Sequence, residues 1–326
     1  MQGDPISHSE LSKALGATIE SYDLIELKNP NRGYLADVFR LVTQVNGQAQ
    51  SYVLKTASRH EDRFEIAERF GSYRNEQRFY QDLAHDLPFR TPACYLNVED
   101  RFVLLLEDLG DQGSISPLDG ASEEQATLAV ETLAAMHGHF MANPPPVLQH
   151  IRVGLNAAAL DMRTLVAPAV SGYSGSAATI AADYAAHSER YINLFERQEQ
   201  VFTHLDYRLD NMRFLDTLYV LDWGESTHAP IGFDLAAFIS GCLSTSNRRH
   251  WEDDLLALYQ NTLSDQQVRI HRESLFNSYR LSLLPSLYLP GLVLNQGDPD
   301  EGRMLLDRGL AAIEDHSAYL SSSLSL

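Results

Sequence analysis

Residues 204–211 read His204-Leu205-Asp206-Tyr207-Arg208-Leu209-Asp210-Asn211, and residues 220–226 read Val220-Leu221-Asp222-Trp223-Gly224-Glu225-Ser226. Between them, short strand-like runs at 212–215 and 219–221 flank Asp216-Thr217 as the arms of a small hairpin would. Asp206, Asn211 and Asp222 are hard oxygen donors of the kind that a Mg²⁺ ion or a hydroxyl proton needs, placed on a loop and at the end of a short strand. That is a layout for phosphoryl transfer. The same residue types also favour plain surface turns, so the rest of the chain has to decide.

Working outward, the first hundred residues carry strand-like runs at 22–27, 37–42, 52–55 and 102–106. Turn residues at 29–33 separate the first two, and Asn46-Gly47 has the signature of a hairpin turn. A helical pattern covers 62–83 and is interrupted near Gly71, so this part reads as a sheet with one helix across it. In the third run Val53, Lys55 and Ala57 share a face, which sets an ammonium beside apolar neighbours. On the helix Glu76 heads the stripe Phe79, Tyr80, Leu83, so its carboxylate points the same way as the apolar face. Either side chain alone would snorkel to solvent. Two opposite charges in partly buried places are better paired, and pairing Lys55 with Glu76 leaves an ammonium able to reach phosphate oxygens.

Beyond Asp108 the stretch GDQGSISPLDGA reads as a connector, after which helical patterns dominate. Ser122 and Gln125 have capping-box spacing ahead of Ala129, Leu133, Met136 and Phe140, which predicts a helix over 123–139. The Ala-rich segment 155–199 reads as one or two helices and 233–313 as helical again. The tail SAYLSSSLSL is low in complexity and is expected to fray.

Taken together, Lys55 on a strand, Glu76 within NEQRFYQDL, LLLEDL at 104–109, HLDYRLDN at 204–211, VLDWGES at 220–226 and GFDLAAF at 232–238 resemble the aminoglycoside phosphotransferase and choline kinase superfamily. The resemblance spans about 23–238, and the linked order of six motifs is more specific than any one of them. It implies an α+β, two-lobed, protein-kinase-like fold, with a small antiparallel-sheet N-lobe bearing one main helix (1–108) and a larger, mainly helical C-lobe (109–326). ATP would bind in the cleft between the lobes. By the same resemblance Asp206 is the catalytic base for an acceptor hydroxyl, and Arg208 steadies the transferred phosphate or else pairs with Asp210. Asn211 and Asp222 hold Mg²⁺, Lys55 grips the phosphates and Glu76 orients it. Leu106-Glu107-Asp108-Leu109 is the hinge beside adenine, so Glu107 and Leu109 join the nucleotide-binding set, with Gly33 of PNRGYLAD at the phosphates. Asp234 braces the catalytic loop, and His204 is a loop-packing residue. The sequence departs from the superfamily at Leu205, where glycine is common, and in having only Gly33 in its nucleotide loop.

Other candidates carry less. His137 and His139 read as packing or helix-end residues, Trp223 as core and Cys242 as a buried, inert thiol. A metal-dependent hydrolase built on His204, Asp206 and Asp222 lacks further ligands of the usual kind. A catalytically silent kinase-like module that binds nucleotide or a partner is the remaining alternative, against which stands the complete set of Lys55, Glu76, Asp206, Asn211 and Asp222.

Composition bounds the partners. The chain has 326 residues, 44% of them hydrophobic and 21% charged, with 25 Lys and Arg against 44 Asp and Glu for a formal charge of −19. Such a surface disfavours nonspecific binding to nucleic acid or anionic membrane. Two cysteines, Cys94 and Cys242, fit a reducing compartment, and the N-terminus shows no basic-then-apolar leader. The expected setting is therefore cytoplasmic, and the expected partner a small hydroxylated molecule. Segments 153–200 and 251–313, which line the acceptor site by resemblance, contain Asp161, Asp183, Glu189, Asp253 and Asp254 with Tyr184, Tyr191, Tyr259 and Tyr288. These suit a cationic acceptor, although solubility explains scattered acids equally well.

Overall fold

A long hairpin organises the first part of the chain. In the computed structural model, which describes residues 5–27, 35–45, 47–85, 87–98, 100–146 and 151–325, the chain divides into two compact units. The first comprises Met1–Gln112 and Tyr219–Glu225, and the second Gly113–Leu218 and Ser226–Leu326.

The first unit begins with helix α1 (His8–Leu15), followed by strands β1 (Tyr22–Glu26), β2 (Ala36–Val45) and β3 (Gln48–Ala57). Helices α2 (Glu61–Phe70) and α3 (Ser72–Arg78) come next, then a π-helical turn at Phe79–Leu83, β4 (Cys94–Asn97) and β5 (Val103–Glu107). The strands form an antiparallel sheet in the order β1-β2-β3-β5-β4. Val45 faces Gln48 across the β2–β3 turn, where Gly47 takes φ +76°; Asn46 of that expected turn lies outside the described residues. Period-two alternation sorts the sheet into two faces. Leu41, Val45, Tyr52, Leu54, Val103 and Leu105 bury one of them against Ile6, Leu11 and Ile19. Lys55 stands on the other, opposite Leu104.

Helix α1 and strand β4 are additions to the elements read from sequence. Ser7 and Glu10 close a capping box, the Glu10 N–H donating to Ser7 Oγ at 3.2 Å and the Ser7 N–H to Glu10 Oε2 at 2.9 Å. Those bonds to Ser7, followed by the Arg101 guanidinium at 2.6 Å, pull the Glu10 carboxyl down to about 2. Fully burying side chains such as Ile6 and Leu11 contributes roughly 2 kcal/mol each, so this short helix is held mainly by the sheet it covers. The break expected near Gly71 is a left-handed residue at φ +72° that ends α2 and starts α3.

The second unit contains α4 (Glu123–Ala142), α5 (Ile151–Asp161), α6 (Ala167–Val170), α7 (Ser176–His187), α8 (Ile192–Glu196) and β6 (Gln200–Thr203). There follow β7 (Met212–Phe214), then β8 (Leu218–Val220), during which the chain passes to the first unit, and β9 (Thr227–Pro230) after its return. The remainder is helical: α9 (Phe233–Cys242), α10 (Thr245–Asp265), α11 (Arg272–Ser282), α12 (Tyr288–Gln296), α13 (Pro299–Asp315) and α14 (Ser317–Leu324). The α4 capping box forms as its spacing predicts. Strands β6 and β9 pair antiparallel, which fixes the point where residue 204 leaves the sheet. At Gly232 a side chain would meet the Tyr279 nitrogen at 2.2 Å, so only glycine lets the chain enter α9 this close to α11.

The expectation of a frayed tail is corrected. Residues 317–324 are helix α14, with Leu320 and Leu324 buried. Just before it, buried Arg248 donates to Glu252 Oε2 at 2.6 Å and to Asp315, the Tyr279 hydroxyl donates to the same Oε2 at 2.8 Å, and His316 Nε2 lies 2.7 Å from Glu252 Oε1. This network ties α10 and α11 to the end of α13, and the serines of the tail fill the exposed side of a helix whose leucines face inward.

Candidate active site

In the first unit, Lys55 and Glu76 meet. Lys55 Nζ donates to Glu76 Oε1 at 2.7 Å and Oε2 at 2.8 Å, and to Asp222 Oδ1 at 3.0 Å. Lys55 and Glu76 are almost wholly buried, whereas the Asp222 side chain is 37% exposed. Burial alone would lower the Lys55 pKa, but the Asp222 and Glu76 charges overcome it and raise it, so the ammonium stays charged. Burial pushes the Glu76 carboxyl up to about 7, with the Lys55 charge opposing the rise and the Asp222 charge adding to it. Asp222 adopts φ +63°, a left-handed conformation that Asp tolerates better than most residues.

Next to it Trp223 is fully buried, stacked on Phe79 at 3.8 Å with 3° between the planes, and its Nε1–H donates to Thr91 Oγ1 at 3.1 Å. The indole is core. It seats residues 219–225 beneath α3 and its π-helical continuation, and the Val220 N–H adds a bond to the Arg90 carbonyl at 2.9 Å.

In the second unit, β6 leads into the 204–211 loop. Asp206 is held on both oxygens: Arg208 Nε–H donates to Oδ1 at 2.8 Å and Asn211 Nδ2 to Oδ2 at 2.7 Å. Arg208 also donates through Nη1 to Asp210 Oδ2 at 2.5 Å, so the pairing with Asp210 coexists with the contact to Asp206. A second Asn211 bond runs from Nδ2 to the Asp206 carbonyl at 2.9 Å. With its N–H groups directed at Asp206, Asn211 presents Oδ1 as its remaining donor atom. A carboxamide oxygen and a carboxylate are ligands of the hard kind that Mg²⁺ takes, and Asn211 in this unit and Asp222 in the first each offer one.

Leu205 takes φ +67°, in the left-handed region that favours glycine. Its N–H donates to Asp234 Oδ1 at 2.9 Å, and that of His204 to Asp234 Oδ2 at 2.7 Å. The left-handed turn accommodates a side chain here while a fully buried carboxylate grips the amides of His204 and Leu205. His204 is itself fully buried, its Nδ1 accepting the Asp206 N–H at 3.2 Å, and Tyr207 anchors the loop by donating to the Ala129 carbonyl at 2.7 Å.

The 106–109 segment follows β5. Glu107 Oε2 accepts the Ala93 N–H at 3.1 Å, and the Glu107 N–H donates to the Ala93 carbonyl at 2.8 Å. Asp108 is clasped by Arg40, whose Nε donates to Oδ2 at 2.7 Å. Burial would raise the Asp108 pKa, but Arg40 and further hydrogen bonds lower it. Side chains here therefore shape the strand exit, with Leu109 half-buried beyond it. Gly33 lies outside the described residues.

Among the described residues, no group of three or more His, Cys, Asp or Glu side chains is placed to hold a metal. His137 is buried, with Nδ1 2.6 Å from the Tyr259 hydroxyl and Nε2 3.4 Å from Asp234 Oδ2. Burial pushes the Cys242 thiol up to about 12, which makes it unreactive. Several acids of the helical part are occupied. Asp183 accepts the Tyr191 hydroxyl at 2.5 Å, Asp161 that of Tyr288 at 3.2 Å, and Glu189 pairs with Arg163, while Asp253 and Asp254 are exposed. No described helix is long and apolar enough to cross a membrane.

A family model described as a phosphotransferase enzyme family matches residues 26–270. No curated protein sequence matches the chain. Among solved structures, choline kinase LicA from Streptococcus pneumoniae is similar with a TM-score of 0.58 at 15% identity, covering 94% of this chain and 97% of that one. The gentamicin-APH(2")-IIa complex gives 0.53 at 16% identity, over 96% of each chain. Spectinomycin phosphotransferase APH(9)-Ia, in complex with ADP and spectinomycin, gives 0.52 at 13%, over 97% of this chain and 99% of that one. At such identities the likeness is one of fold, and it agrees with the expected class: a small antiparallel-sheet region and a larger helical part.

Proposed function

Given that this chain belongs to the phosphotransferase enzyme family, we propose that it transfers the γ-phosphate of ATP, with Mg²⁺, to a hydroxyl group of a small molecule. The observation that carries this reading is the Asp206 carboxylate, oriented on both oxygens by Arg208 and Asn211 while its side chain remains 26% exposed. A base for a substrate hydroxyl needs that combination of fixed direction and access.

In the proposed reaction an acceptor hydroxyl donates its proton to Asp206 as its oxygen bonds to the γ-phosphorus, and the bond from that phosphorus to the bridging oxygen breaks to release ADP. Arg208 lies beside the base and supplies positive charge to the transferring group, with Asp210 holding the guanidinium in place. Lys55, kept charged by two carboxylates, binds phosphate oxygens, and Glu76 fixes its direction. Asn211 and Asp222 would hold Mg²⁺, which when bound neutralises phosphate charge. The 106–109 segment would receive the adenine edge on its main chain, with Glu107 and Leu109 flanking. ADP in the spectinomycin phosphotransferase structure supports an adenine nucleotide here. We assign the nucleotide to the residues of 1–108 and the base and acceptor to those of 109–326, apart from Asp222.

For the acceptor, the internal partners of Asp161, Asp183 and Glu189 favour a structural use of those acids over a cation-binding one. The test is an ATP-depletion screen across hydroxylated metabolites, amino alcohols and sugars with Mg²⁺ present. Acceptor-dependent ADP formation with a phosphomonoester product supports the reading. ADP formation without any acceptor, or phosphate release that needs no nucleotide, contradicts it.

A further inference from the structure

Tyr73 heads the face of α3 that Glu76 also occupies, one turn earlier. It is 6% exposed, with its ring stacked on Phe102 at 4.4 Å and a tilted contact to Phe64 at 5.9 Å. Its hydroxyl accepts the Ser58 N–H at 2.9 Å and donates to the Leu35 carbonyl at 2.6 Å. One buried oxygen thus joins three segments: α3, the residue just beyond β3, and the residue that leads into β2.

The spacing gives this junction a consequence. Ser58 is three residues after Lys55, and Tyr73 is three residues before Glu76, so β3 and α3 are fastened to each other at two points, the ion pair and the hydroxyl. A helix held at one point can rotate or slide about it, whereas a second bond one turn away fixes its register. Leu35 belongs to the PNRGYLAD stretch, and the end of that stretch is fastened to the same corner again: Asp37, 7% exposed, accepts the Arg59 N–H at 3.1 Å and Arg59 Nε–H at 2.5 Å.

We propose that Tyr73 is a positioning residue for nucleotide binding, its hydroxyl setting the register of α3 so that Glu76 aims Lys55 at the phosphates. The inference rests on the phosphotransferase reading above. Tyr73 touches no reacting atom; it acts through Glu76 and Lys55. Phenylalanine at this position keeps the ring contacts and deletes both bonds, leaving the buried Ser58 N–H and the half-buried Leu35 carbonyl without that partner.

The test is a double-mutant cycle on the whole protein, with Mg-ATP affinity measured by calorimetry for the wild type, Tyr73→Phe, Glu76→Gln and the pair. Tyr73→Phe is expected to weaken Mg-ATP by about fivefold, as for loss of one or two net hydrogen bonds, and to add little in the Glu76→Gln background, because the residue through which it acts is already disabled. Ser58→Pro, which removes the donor N–H together with the Ser58 hydroxyl that accepts the His60 N–H at 3.2 Å, should shift affinity in the same direction. Near-UV circular dichroism confirms that each variant is folded at the measuring temperature. Unchanged affinity in Tyr73→Phe, or a loss that adds in full to that of Glu76→Gln, overturns the inference while the phosphotransferase reading stands. Failure of the wild type to bind Mg-ATP overturns both.

Discussion

Leu205 holds a left-handed backbone at φ +67° while the Asp234 carboxylate accepts its N–H at 2.9 Å. The same carboxylate takes the His204 N–H at 2.7 Å, so one buried acid shapes the two residues that precede Asp206. Replacing it by Asn sets an amide N–H₂ against one of those donors. Asp234→Asn should lower stability by about 2–3 kcal/mol, as for loss of hydrogen bonds to a charged group, and reduce turnover through misplacement of Asp206. Denaturant unfolding and single-turnover kinetics would report the two effects separately.

Leu205 itself offers a test of the strain. A side chain in the left-handed region costs roughly 1–2 kcal/mol, whereas glycine forfeits roughly 0.5–1 kcal/mol through the greater freedom of its unfolded chain. Leu205→Gly is therefore expected to match or slightly exceed the wild type in denaturant midpoint. Leu205→Val places a β-branched residue where it fits worst and should fall below both. The reverse order would show that the turn carries no strain.

The raised pKa of Glu76 gives a pH dependence with a definite sign. As pH falls through about 7, Glu76 takes up a proton and Lys55 keeps only Asp222 as an ionised partner. ATP kcat/KM should therefore decline on the acid side along a one-proton limb near that pH, and the limb should be missing in Glu76→Gln, whose value is lower and flatter. A carboxyl raised on folding binds its proton more tightly in the native state than in the unfolded chain. From about pH 7 down to its ordinary value of 4.5, this group therefore adds to stability. Acid inactivation along this limb should accordingly come without a fall in melting temperature from Glu76; a coincident fall that Glu76→Gln abolishes would contradict the assignment.

The C-terminal helix is testable by truncating one leucine. Leu320 is fully buried on α14, and Leu320→Ala should cost about 2–5 kcal/mol of unfolding free energy. A frayed tail would give no change, and thermal melts distinguish the two.

How much of this was readable from the sequence differs by residue. Lys55 and Glu76 were, since strand alternation and helical spacing each direct one charge toward apolar neighbours, and opposite charges in such places pair. Gly71 and the Ser122 capping box announce their own backbone geometry. Helix α1 was equally open to reading, with Ser7, Glu10 and Gly16 as its cap signals, but its eight residues hold only one short apolar stripe, Leu11, Ala14 and Leu15. The left-handed turn at Leu205 has no local signal: Asp234, twenty-nine residues on in the chain, holds it. Likewise, nothing local shows that 219–225 joins the first unit, since the stacking of Trp223 on Phe79 is a tertiary event. The serine-rich tail misled because composition masks the four-residue spacing of Leu320 and Leu324.

The central claim is that Asp206 takes the proton of an acceptor hydroxyl. Its most direct measurement is acceptor-dependent ADP formation by the wild type and by Asp206→Ala under saturating Mg-ATP, with Mg-ATP affinity measured for both. A positioned general base contributes about 10²–10⁴ in rate, so kcat should drop by at least about a hundredfold while Mg-ATP affinity and the melting temperature stay close to those of the wild type. Turnover by Asp206→Ala within a fewfold of the wild type would contradict the account.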